Sequence, residues 1–173
     1  VIITYDEIRA REIQADMKLY DKKALIYPAK DIMFFAADVH GNAIVSGRLE
    51  VIKRLIEEKP STVILSLEAG LDRVLPLSYV KERIVRLSVG ESYDITELGR
   101  KLAVLGYEKT SQVSGKGQFA VRGDIFDIFP LTEETPMRLE FWGDEIDSIR
   151  AFDVESQRSI ENVEELLIYP AAE

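Results

Sequence analysis

The chain has 173 residues, 46% of them hydrophobic and 31% charged, which is enough for a buried core in one medium domain or two small ones and excludes bulk disorder. It has no cysteine and a single histidine, His40. This rules out disulfides, thiolate zinc sites and cysteine catalysis, and a lone imidazole reads as a loop residue because metal sites need several convergent ligands. The net charge of −9 is unevenly spread: residues 1–86 carry 14 basic and 13 acidic side chains (net +1), and residues 87–173 carry 8 and 18 (net −10). So acidic a second half is a poor generic ligand for phosphate backbones and suits a protein partner with a basic patch.

The apolar start, Val1 to Asp6, reads as a strand entered abruptly without an initiator Met, as in a piece of a longer protein. It is too short for a signal peptide, and no run of about 18 apolar residues marks a membrane span. Asp6 to Tyr20 follows as a helix, with Asp6 as its cap and Ala10, Ile13, Met17 and Tyr20 on one face. Ala24–Tyr27 is a short strand stopped by Pro28, and Ala29 to Asn42 reads as a loop turning at Gly41-Asn42. Leu49, Ile52, Leu55 and Ile56 mark a second helix ending near Pro60. Thr62–Ser66 is a continuous apolar run, the mark of a strand buried on both faces. A short helix at Glu68–Arg73 and a strand at Ile84–Val89 complete the alternation of a parallel α/β layer.

The pattern changes near Gly90. Asp94 and Glu97 resemble a capping box, Ile95, Leu98, Leu102 and Leu105 form one helical face, and Gly106 stands where a terminating glycine belongs. Tyr107–Val113, Phe119–Phe129, Met137–Trp142 and Glu145–Phe152 then read as strands joined by hairpin connections. The expected fold class is therefore α/β: a partial parallel-sheet domain over residues 1–90, then an α+β domain with an antiparallel sheet over residues 91–173.

Chemistry is hard to find. The one fragment of a phosphate-binding loop, Gly115-Lys116, has Gly117 where Ser or Thr is needed and Thr110 where the first Gly is needed, so a turn is expected and no cofactor. Acid–base or metal catalysis lacks its histidines and its ligand spacing, and the expectation is a non-catalytic chain. Met137–Trp142 is more informative. Alternation puts Met137, Leu139 and Phe141 on the core face and Arg138, Glu140 and Trp142 on the other. Arg and Trp are the types most enriched at binding hot spots, although an exposed ion pair with a tucked Trp fits the pattern too. Gly123 within Val121-Arg122-Gly123-Asp124 suggests a bulge, with Arg122 near Arg138 and Asp124 offsetting one of the charges.

The strings Gly117-Gln118-Phe119-Ala120-Val121-Arg122-Gly123-Asp124-Ile125-Phe126-Asp127-Ile128-Phe129-Pro130 and Arg138-Leu139-Glu140-Phe141-Trp142-Gly143-Asp144-Glu145-Ile146-Asp147-Ser148-Ile149 resemble a signature shared by UvrB and the bacterial transcription-repair coupling factors (Mfd). Phe152-Asp153, Ser156-Gln157-Arg158-Ser159 and Tyr169-Pro170-Ala171-Ala172-Glu173 resemble the coupling-factor version; Tyr27-Pro28-Ala29 and Ser46-Gly47-Arg48-Leu49 do so more loosely. The resemblance implies a UvrB-like module in the cytoplasm that has lost its nucleotide site. Its α+β domain would recruit UvrA through Arg122, Arg138, Glu140 and Trp142, where Trp142 replaces a common Phe. DNA and RNA polymerase would be contacted by other parts of the full protein. Alternatives are UvrB itself, an ATP-dependent damage-loading enzyme, or a surface masked by a C-terminal domain of the same protein. On this reading Arg138→Ala weakens UvrA binding by roughly 2 kcal/mol or more and hardly changes folding.

Overall fold

The structure is a computed structural model describing residues 1–30 and 38–171, with residues 38–41 as backbone only. Residues 31–37 of the expected Ala29–Asn42 loop and the side chain of His40 lie outside the described residues. The chain divides into two compact units, Val1–Lys81 and Glu82–Glu173.

The first unit is a three-stranded parallel sheet of β1 (Ile2–Thr4), β2 (Leu25–Tyr27) and β3 (Val63–Ser66), ordered β1-β3-β2, with helices α1 (Glu7–Met17), α2 (Asp38–Ile56), α3 (Leu67–Leu71) and α4 (Leu77–Lys81). Asp6 caps α1 by accepting from the Arg9 amide at 2.7 Å. Ile64 packs with Ala10 and Ala24, while Val63 and Leu65 pack with Tyr27, Val51 and Ala69, so the central strand is covered on both faces as its apolar run requires. Tyr20 is exposed, because α1 stops at Met17 before reaching it. Gly41-Asn42 makes no turn: it lies inside α2, whose buried Arg48, Leu49, Val51 and Ile52 anchor the helix and override the weak propensity of its first turns.

The strand at Ile84–Val89 does not extend the parallel sheet. As β4 (Val85–Ser88) it lies in the second unit and pairs antiparallel with β11 (Glu165–Ile168). Val85 and Leu87 are buried and Arg86 is exposed, the one-sided alternation of an antiparallel strand. Helix α5 (Ile95–Val104) begins as its sequence dictates, with Asp94 accepting from the Glu97 amide at 2.8 Å, and Gly106 takes the left-handed conformation after it (φ 94°). Leu98 and Leu102 of α5 share one core with Phe119, Phe126, Ile128, Leu139, Phe141, Ile146 and Ile149. Those residues come from the inner face of a six-stranded sheet. Its strands are β5 (Glu108–Lys109), β6 (Gln118–Arg122), β7 (Ile125–Ile128), β8 (Met137–Trp142), β9 (Glu145–Phe152) and β10 (Ser159–Val163), in the spatial order β10-β9-β8-β7-β6-β5. All neighbours pair antiparallel except β5 and β6, which are parallel. Gly115-Lys116-Gly117 is therefore a crossover loop and not a hairpin turn; the Gln118 side chain accepts from the amides of Ser114 and Gly115 to hold it.

A candidate docking face on the outer side of the six-stranded sheet

The site is built by two hairpin turns. The segment expected as one strand, Phe119–Phe129, is broken at Gly123-Asp124, where Gly123 adopts φ 59° and Arg122 faces Ile125 across a two-residue loop. The same device joins β8 to β9: Gly143 adopts φ 63°, and Trp142 faces Glu145. Glycine in the first loop position of a two-residue hairpin supplies the left-handed backbone that matches strand twist. In an up-and-down sheet these two turns lie at the same end. Arg122, the last residue of β6, and Trp142, the last of β8, therefore end at one edge of the sheet. The Phe141 amide donates to the Asp124 carbonyl at 2.8 Å and ties the two ends together.

Side-chain alternation along β8 is as expected: Met137, Leu139 and Phe141 are buried, and Arg138, Glu140 and Trp142 point outward. Trp142 is 84% exposed, so the alternative of a tucked ring does not apply. Arg122 and Arg138 are brought together, but Asp124 does not join them. The joining group is Asp127, which the sequence reading missed. Its carboxylate is only 1% exposed and accepts from Arg122 Nη2 at 2.5 Å, Arg138 Nε at 2.7 Å and Arg138 Nη2 at 2.9 Å. The turn explains the miss. In one continuous strand residues 122 and 127 point to opposite faces, whereas the loop resets the count and sets Asp127 opposite Ala120, on the side of Arg122. The signal was the Gly-Asp dipeptide, the same one that marked the Gly143-Asp144 turn.

Arg138 is more deeply held than its expected role implies. It is 16% exposed, donates a further bond to Gln157 Oε1 at 3.0 Å and covers the Phe152 ring at 4.5 Å. The hydrogen bonds it donates to Asp127, with the negative charge of that carboxylate, raise the guanidinium pKa against the opposing effect of burial. The expectation that Arg138→Ala leaves folding nearly unchanged conflicts with this geometry, because the substitution strips a buried carboxylate of its bidentate partner. Glu140 is engaged by a residue that was also overlooked. Arg150 Nη2 pairs with Glu140 Oε2, and Ser148 Oγ donates to the same oxygen at 3.2 Å. The four expected residues therefore share one outer face, with Arg122 and Arg138 on one carboxylate, Glu140 turned toward β9, and Trp142 free in solvent.

Among the described residues no group of His, Asp and Glu side chains is arranged to hold a metal ion, and no helix is long and apolar enough to cross a membrane. Residues 85–173 match the family model of the UvrB interaction domain. The whole chain is similar to transcription-repair-coupling factors: 33% identical to that of Bacillus subtilis over 99% of this chain, 34% to that of Staphylococcus haemolyticus over 100%, and 33% to that of Myxococcus xanthus over 100%. In each case the chain spans about 15% of the relative's length. Hairpins, buried Asp127 and outward Arg, Glu and Trp thus sit in a chain that belongs to the UvrB interaction domain family, in the form carried by the transcription-repair-coupling factors it resembles from end to end.

Proposed function

We propose that this chain is the UvrA-docking module of a transcription-repair-coupling factor, and that it works by recognition alone. Recruitment of UvrA would link a stalled RNA polymerase, held by other parts of the full protein, to nucleotide excision repair. The observation that carries this reading is the outer sheet face: an exposed Trp142 on the same face as two arginines fixed on one buried carboxylate. An exposed aromatic next to pre-positioned guanidiniums is the composition of a protein-binding hot spot. Trp142 supplies apolar area, and Arg122, 45% exposed, offers donors to acidic groups of UvrA. Arg138 acts mainly as a fixed support, given its depth in the sheet.

The test is calorimetric titration of the chain into purified UvrA at moderate salt, wild type beside Trp142→Ala and Arg122→Ala. Saturable binding weakened at least tenfold by Trp142→Ala supports the reading. A well-folded wild-type chain that does not bind refutes it.

A further inference from the structure

We propose that Arg150 is a second docking arginine of this face beside Arg122, and that Glu140 serves the interface by positioning Arg150 rather than by touching the partner. The inference rests on the UvrA-docking reading above and specifies what the partner must present to it. In the sheet register Arg150 of β9 lies directly opposite Arg138 of β8, and Ser148 lies opposite Glu140. Arg150 therefore projects from the same outer face as Arg138, Glu140 and Arg122, while its neighbours Ile149 and Ala151 are buried in the core.

Two guanidiniums directly opposite each other on one face repel, and a sheet ordinarily avoids such a pair. Here each cation has its own carboxylate, Asp127 for Arg138 and Glu140 for Arg150. The two acids differ in depth. Asp127 is sealed at 1% exposure and already accepts from two arginines, whereas Glu140 and Arg150 are 35% and 32% exposed. Arg150 also keeps its Nε buried without a hydrogen-bond partner. A guanidinium has five donors, and a single carboxylate oxygen at Nη2 leaves Arg150 with capacity to spare. Arg122, Arg138 and Arg150 thus stand on β6, β8 and β9 of one outer face, three cations held by two carboxylates. The complementary partner surface carries carboxylates, at least one of them reaching β9. Glu140, turned toward Arg150 and Ser148, is spent on orientation.

The experiment is a double-mutant cycle on the full chain, titrated into purified UvrA: wild type, Arg150→Ala, Glu140→Gln, the double variant, and Arg150→Lys as a charge-retaining control, each checked for an unchanged thermal midpoint. The expected result is about tenfold weaker binding for Arg150→Ala, as for a desolvated interfacial charge, and partial retention for Arg150→Lys. Glu140→Gln should weaken binding alone yet change it less than about twofold when Arg150 is already gone, since a positioning residue acts only through the residue it positions. Arg150→Ala binding like wild type, in a chain that Trp142→Ala still weakens, overturns the inference and leaves the docking reading intact. A full Glu140 effect in the Arg150→Ala background overturns the positioning role. No binding by the wild type removes the docking reading and this inference with it.

Discussion

Arg138→Ala is the sharpest test of how the face is supported. The substitution removes two of the three hydrogen bonds on Asp127, the bond to Gln157 and the cover over Phe152. Breaking a buried ion pair from one side costs about 3–5 kcal/mol. Arg122 stays on Asp127 Oδ2, and the space vacated by Arg138 admits water, so the low end applies to the charge. The lost cation–π contact adds roughly 0.5–1 kcal/mol, for a total of about 3–4 kcal/mol. That is a large part of the 5–15 kcal/mol typical of a whole domain. With a urea m-value of about 1–3 kcal/mol/M, the midpoint of the second unit should fall by more than 1 M in denaturation followed by circular dichroism. Removing Asp127 as well should recover much of the loss, because the buried charge then vanishes with its partner. If Arg138→Ala unfolds within about 0.5 kcal/mol of wild type, Asp127 is not held as described and the support argument fails. A binding defect in Arg138→Ala therefore needs a matched stability measurement before it is assigned to lost contact.

Trp142→Ala should behave in the opposite way, with stability within about 0.5 kcal/mol of wild type and docking weakened by about 2 kcal/mol; acrylamide should quench this single tryptophan freely in the unbound chain. In the first unit, Arg48 is buried, pairs with Asp72 at 2.8 Å, donates to the Pro28 carbonyl at 2.9 Å and lies over the Tyr27 ring, so Arg48→Ala should cost about 3 kcal/mol or more in urea unfolding. Asp94→Ala removes the cap of α5 and should cost about 1 kcal/mol, measurable in the same way. The hydroxyl and then the amide of Ser156 hold the Asp153 carboxyl below its usual range. The folded state therefore favours the carboxylate: its stabilisation of the turn at Ser156 is complete above about pH 4 and is lost as pH falls through the lowered folded value. A proton titration followed at the Ser156 amide should have its midpoint below the ordinary aspartate value of about 3.9, and a midpoint at or above that value contradicts the hydrogen bonds.

Local chemistry was legible wherever the cause was local. The caps at Asp6 and Asp94, the stop at Gly106, the two-sided burial of Val63–Ser66 and the alternation of Met137–Trp142 each follow from a few adjacent residues. What escaped depends on distant pairing. Strand β4 reads like its predecessor, yet its partner β11 lies at the far end of the chain. Strand β10 was not read at all, because its exposed Ser159-Ile160-Glu161-Asn162 carries no buried alternation. Asp127 and Arg150 were missed for related reasons: one needed the Gly123 turn to change its face, and the other matters only through the register of β8 with β9.

The acidic balance of the second half and its arginine-bearing face are compatible because docking depends on local potential and net charge sums the whole surface. The ion pairs of the face do not simply cancel its charge. Each carboxylate pins a guanidinium in one geometry, so part of the side-chain ordering that association normally costs is completed during folding. Exposure then grades the roles, from Arg138, held deepest, through Arg150 and Arg122, to Trp142 standing clear of the sheet. Such an arrangement depends on the planar, forked donor set of arginine. Lysine at position 138 keeps the charge but cannot span both oxygens of Asp127, and for this reason Arg138→Lys should behave more like a loss of support than like a conservative change.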